Sequence, residues 1–102
     1  MLIGKVVGTL VASRKEEKLE GMKFLVLRQV GVEAQLGSGY VVAVDAVGAG
    51  LDEYVLYASG SSARQTVITD KRPVDAVVMA IIDQWEVGGD VKYRKVEGEY
   101  QS

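Results

Sequence analysis

Between Leu2 and Ala12 every even position is apolar or glycine, in the order Leu2, Gly4, Val6, Gly8, Leu10, Ala12. The odd positions mix polar Lys5, Thr9 and Ser13 with Ile3, Val7 and Val11. A period of two is the mark of a strand with one face in a core, and it excludes a helix for this segment. Strands are predicted on the same grounds at 22–30, 40–47, 54–58, 81–87 and 91–96. Gly4 and Gly8 inside the first strand predict kinks where it bends round a barrel. Residues 31–39 read as a turn region, Gly88-Gly89-Asp90 as a turn, and the charge-alternating stretch 14–21 as a solvated loop. Pro73 at a first helical position, followed by Val74-Asp75-Ala76-Val77, predicts one short helix. The polar tail, 97–102, is expected to be loose. The whole reads as mostly β: one domain over residues 1–102, a small closed OB-like β-barrel with one short helix, with a β-sandwich as the structural alternative.

Several of these strands are apolar on both faces. Leu25 and Leu27 alternate against Phe24 and Val26, and Val41 and Ala43 against Val42 and Val44. One row of each fills a barrel; the other still has to leave water. Residues 24–69 carry only Arg28, Glu33, Asp45, Asp52, Glu53 and Arg64 as charges, although 25% of the whole chain is charged. Such depletion is typical of interface cores. A chain of 102 residues buries only roughly 60–70% of its unfolded surface, so a hydrophobic content of 48% exceeds what one small core uses. Assembly with copies of itself accounts for the excess.

Chemistry is sparse. Without histidine or cysteine the chain lacks the commonest general base, the commonest metal ligand and the thiol nucleophile. No metal site and no cofactor is expected, and the chain does not read as an enzyme. Asp45, Asp52, Glu53, Asp75 and Asp83 are separated by strands and match no calcium loop. Gly48-Ala49-Gly50 lacks the third glycine and following helix of a dinucleotide motif. A net charge of −2 supplies no field for nucleic acid or anionic lipid. Lys92-Tyr93-Arg94-Lys95 is a weak basic patch, so an OB-fold protein that binds single-stranded nucleic acid is the alternative function rather than the first. The longest apolar run, 76–82, is far short of the ~20 residues that cross a bilayer. The first residues lack the pattern of a secretory leader. A cytoplasmic location is the default expectation.

Residues 42–64, VAVDAVGAGLDEYVLYASGSSAR, resemble the signature region of the bacterial microcompartment vertex family of the EutN/CcmL type. The likeness continues in Ile3-Gly4-Lys5-Val6-Val7-Gly8-Thr9, in Gly21-Met22-Lys23-Phe24-Leu25-Val26-Leu27, and in Pro73-Val74-Asp75-Ala76 running into Ala80-Ile81-Ile82-Asp83. The resemblance implies an OB-like barrel that forms a pentameric ring, with a hexameric ring left open because a small change in subunit angle alters closure. It implies a structural role, without catalytic residues, at the vertices of a carboxysome- or metabolosome-like shell. The implied partners are further copies of the chain and hexagonal shell proteins, with neither nucleic acid nor membrane. Asp45, Gly48 and Gly50 match the family's Asp-x-x-Gly-x-Gly turn, and Gly60, Ser61, Ser62, Ala63 and Arg64 its Gly-Ser-Ser-Ala-Arg loop. Both are expected at the subunit interface, where small residues permit close backbone approach and Arg64 offers a fixed fork of donors. Both segments also read as ordinary turns within one subunit.

Overall fold

Alternation turns into pairing in the computed structural model, which describes residues 1–96. The strands are β1 (Leu2–Leu10), β2 (Phe24–Val30), β3 (Leu36–Asp45), β4 (Tyr54–Ser59), β5 (Ala76–Ile81), β6 (Gln84–Val87) and β7 (Asp90–Arg94). The first five close into a barrel in the order β1-β2-β3-β5-β4. Strand β4 returns to β1 through the pairs Leu2↔Tyr57 and Lys5↔Tyr54. All neighbours are antiparallel except β3 and β5, which run parallel through Val44↔Val77 and Asp45↔Val78. The inward rows meet as Val6, Leu25, Leu27, Ala43, Val55, Tyr57, Ala76 and Val78, a single buried cluster.

The first strand explains two of its glycines differently. A bulge falls between Val6 and Gly8, where pairing with β2 shifts by one residue. An extra residue there increases local twist and lets the strand curve round the barrel. Gly4 answers to packing instead. A Cβ on it would lie 3.1 Å from Cε1 of Tyr57 and 3.3 Å from Cβ of Leu27, so its bare backbone is what lets Tyr57 fill the barrel.

The helix expected after Pro73 is absent. Residues from Ala76 onward form β5, and the helical turns among the described residues are short 3-10 turns at Glu17–Leu19 and Gly60–Arg64. The reason is burial on both sides. Val78 points into the barrel cluster, whereas Val77 joins a second cluster with Val44, Ala58, Ala63 and Val74 on the barrel's outer surface. β-branched residues buried on opposite faces suit an extended strand, and a short helix would turn one of them to water. The predicted strand 81–87 is split, since β5 ends at Ile81 and β6 starts at Gln84. Strand β3 starts at Leu36 rather than at Tyr40, which shortens the turn region before it. Residues 14–21 are largely exposed, as expected of a solvated loop, apart from the 3-10 turn they contain. The tail expected to be loose, 97–102, lies outside the described residues.

Among the described residues, strands β6 and β7 pair only with each other. The hairpin is fastened to the barrel by side chains. Trp85 and Tyr93 gather round Tyr54 with ring centroids 5.9 Å and 4.3 Å from it, and Trp85 Nε1 donates to the Val32 carbonyl at 2.7 Å. Just past β7, Lys95 forms an ion pair with Glu53.

Candidate subunit interface

On the outer face of β1, β2 and β3, Phe24 and Val44 lie under the second cluster with Leu19 and Met22, while the rows beyond them, towards Val42 and Tyr40, stay open among the described residues. Gly8, Val26 and Val42 lie directly opposite one another across the three strands, and Val42 is 46% exposed. The adjacent row holds Lys5, Arg28 and Tyr40. Arg28 donates from Nε to the Gly37 carbonyl at 2.8 Å, with its guanidinium 5.9 Å from the centre of the Tyr40 ring. Tyr40 itself is 61% exposed. At the end of β1 this face opens into a recess of about 420 Å³ lined by Leu10, Val11 and Phe24, among others. A partly apolar sheet face continuous with a recess that mixes Leu10, Val11 and Phe24 with Lys15, Lys23 and Asp45 suits contact with another chain.

Asp45 closes β3 and organises the turn after it. Its Oδ1 accepts the backbone N–H groups of Val47, Gly48 and Ala49 at 3.1, 3.0 and 3.2 Å. Gly48 takes φ +77°, which glycine adopts without Cβ strain. Gly50 donates its N–H to the Glu53 carboxylate. That carboxyl is held below its ordinary value of 4.5, first by the hydrogen bond from Lys95, against partial desolvation that works the other way. Asp52, a non-glycine at φ +70°, is clamped to β1 by Asp52 N–H to Val6 O at 2.8 Å, and Val6 N–H returns to Glu53 O at 2.9 Å.

The other expected segment is a 3-10 turn, Gly60–Arg64. Gly60, at φ +64°, donates its N–H to the Asp75 carbonyl at 2.8 Å. Ser61 and Ser62 are exposed. Ala63 is fully buried in its own chain's second cluster, so its side chain faces inward. Arg64 is exposed and donates from Nη1 to the Val74 carbonyl at 3.1 Å. The two segments leave the barrel in opposite directions along β5: β3 runs parallel to it and passes on beyond Asp45↔Val78, whereas β4 runs antiparallel and ends beside its start, where Ser59 pairs with Ala76.

Residues 65–72 carry a feature the sequence reading passed over. Val67 is 97% exposed and Ile68 41%, on a turn held by reciprocal bonds between Thr66 and Thr69. Each threonine hydroxyl accepts the other's backbone N–H, at 3.2 and 3.1 Å, and the two hydroxyls bond to each other. Thr69 is fully buried. Two apolar residues bracketed by threonines are the sequence signal, but nothing local says that they face outward.

Among the described residues no group of three or more acidic side chains is placed to hold a metal ion, and no helix is long and apolar enough to cross a membrane. Comparison with known proteins points one way. Residues 1–83 match the family model described as ethanolamine utilisation protein EutN/carboxysome. The carboxysome shell vertex protein CcmL of Gloeobacter violaceus is 50% identical over 93% of this chain and 95% of its own. Its solved structure superposes with a TM-score of 0.90, covering 93% of this chain and 98% of that one. The shell vertex protein EutN of Salmonella typhimurium is 35% identical over 93% and 96% of the two chains. The pentameric microcompartment shell protein GrpN of Rhodospirillum rubrum is 40% identical, with a TM-score of 0.79 over 85% of this chain and 99% of that one.

Proposed function

This chain belongs to the EutN/CcmL family, and from that premise we propose that five copies close into a ring which forms a vertex of a bacterial microcompartment shell. The observation that carries the reading is the open part of the β1–β3 outer face, with Val26 and Val42 in one outward row. A lone barrel leaves that row in water; a neighbour in a ring covers it. The role is geometric. A flat hexagonal sheet cannot close, and a fivefold unit supplies the missing curvature. The chain is a structural protein rather than an enzyme, and its place is the shell.

The finer assignments rest on likeness and surface chemistry. The carboxysome vertex protein of Gloeobacter is nearer in sequence than the ethanolamine one, which supports a carboxysome-type shell. The ring's rim then meets hexagonal shell proteins. The Asp45–Gly50 turn and the exposed Gly60, Ser61, Ser62 and Arg64 are assigned to ring contacts on the strength of their likeness to the family's two glycine-bearing segments. The nucleic-acid alternative finds little support, because Tyr54, Trp85 and Tyr93 pack on one another and Tyr40 stands as a single exposed ring rather than one of a series. Native mass spectrometry tests the ring. From a chain of 11.0 kDa it should give roughly 55 kDa. A spectrum showing only single chains at micromolar concentration overturns the reading.

A further inference from the structure

A closed ring of identical subunits needs two different patches on each chain, one fitting the other, because a self-matching patch yields only a twofold dimer. The structure offers such a pair. The convex member is the tip of the turn at Val67 and Ile68. The concave member is the recess of about 420 Å³ beside the ends of β1 and β2, where Val11 is 91% exposed. They flank a common ridge. Met22, Lys23, Asp45 and Gly48 line that recess, and the same four residues also line a second one of about 580 Å³ whose other walls include Val67 and Ile68. The knob and its socket therefore lie on opposite flanks of one edge of the molecule, as they do on a wedge.

We infer that the Val67–Ile68 tip of one copy seats in the Leu10–Val11–Phe24 recess of the next, with the Met22–Lys23 and Asp45–Gly48 ridge turned towards the ring axis. This deepens the ring reading and rests on it. Two observations carry it. Exposed valines at both places leave large apolar surface in water, and burying it is the main gain available at a contact. The tip is preorganised. Besides the threonine bonds, Asp70 N–H reaches Thr66 O at 2.9 Å, and Arg72 Nη1 reaches Lys18 O at 3.0 Å. Little conformational freedom is lost when such a tip docks. Charge does not oppose the contact: Val67 and Ile68 are neutral, and the turn's Asp70, Lys71 and Arg72 carry both signs, as do Lys15, Lys23 and Asp45 around the recess. The occupant is a second copy because two solved relatives are described as pentameric shell proteins and because the contact continues the open part of the β1–β3 face.

The absence of native cysteine makes the contact directly testable. The double variant Val11→Cys/Val67→Cys, oxidised mildly, should run on a denaturing non-reducing gel as a ladder from dimer up to pentamer. The two single variants should give no ladder, since neither places two thiols together. Both positions are almost fully exposed in one chain, so folding is preserved; circular dichroism checks this. In parallel, Val67→Asp should raise the concentration at which the ring dissociates by on the order of 10- to 100-fold. A double variant that stays monomeric on the gel, or forms only an internal disulfide, while the unmodified chain weighs as a ring, overturns the contact alone. Equal cross-linking of a single variant also overturns it. An unmodified chain with no ring mass overturns the ring and the contact together.

Discussion

Gly4 shows how one missing side chain sets a core. Its neighbours are the Tyr57 ring and Leu27, both buried, and a Cβ would stand 3.1 and 3.3 Å from them. Gly4→Val should therefore overpack the barrel and cost about 1–3 kcal/mol. Gly8 is the control, since a Cβ there meets only Val26 Cβ at 3.9 Å, an ordinary contact. Gly8→Ala should shift unfolding of the separated barrel by less than about 1 kcal/mol. Chemical denaturation followed by circular dichroism compares the two; equal effects would refute the packing account. Asp45 and Asp52 show the other use of single residues. The first accepts three backbone amides, and the second takes a left-handed conformation that Asp tolerates better than most side chains.

The β6–β7 hairpin is the element with least support of its own. A two-stranded hairpin is marginal in water, and among the described residues this one pairs with no barrel strand. What holds it is the Trp85–Tyr93–Tyr54 cluster, the indole bond to Val32 and the Lys95–Glu53 pair. Trp85→Ala removes ring and bond together and should cost about 3 kcal/mol or more. Trp85→Phe keeps a ring and loses the bond, for about 1 kcal/mol. Amide hydrogen exchange should show protection falling across residues 84–94 in the alanine variant while β1, β2 and β3 keep theirs. A uniform loss across the barrel would mean that the hairpin and barrel unfold as one unit.

For the whole molecule, barrel stability and ring stability are separable because they use opposite faces of the same strands. Leu25, Leu27 and Ala43 look inward; Val26 and Val42 look outward. Arg64 belongs to the outer set. Among the described residues its one hydrogen bond runs from Nη1 to Val74 O, and the rest of the guanidinium fork faces outward for a neighbour. Arg64→Glu should leave the β spectrum intact and dissociate the ring, since the reversal repeats at each contact. Sedimentation beside circular dichroism reads both. An intact ring mass would place Arg64 outside the contact.

The β character, the barrel and the family were legible in residue order. Period-two rows such as Gly4 and Val6, or Leu25 and Leu27 against Phe24 and Val26, state which residues share a face before any pairing is known, although the bulge after Val6 turns Leu10 to the outer face. The turn glycines at 48 and 60 were legible too, because positive φ is a local requirement. Residues 74–78 were not. Pro73 ahead of a short apolar run is locally compatible with a helix, and only pairing with β3 and β4 makes Ala76–Ile81 a strand buried on both faces. The same long-range pairing decides that Ala63 turns into its own core while Ser61 and Ser62 stay outside. It also decides that the Val67–Ile68 tip stands clear. Local pattern records what each residue prefers next to its neighbours in sequence. Which apolar group finds a partner across the barrel, and which is left for another chain, is decided by contacts between residues far apart in the chain, and only the tertiary structure brings those together.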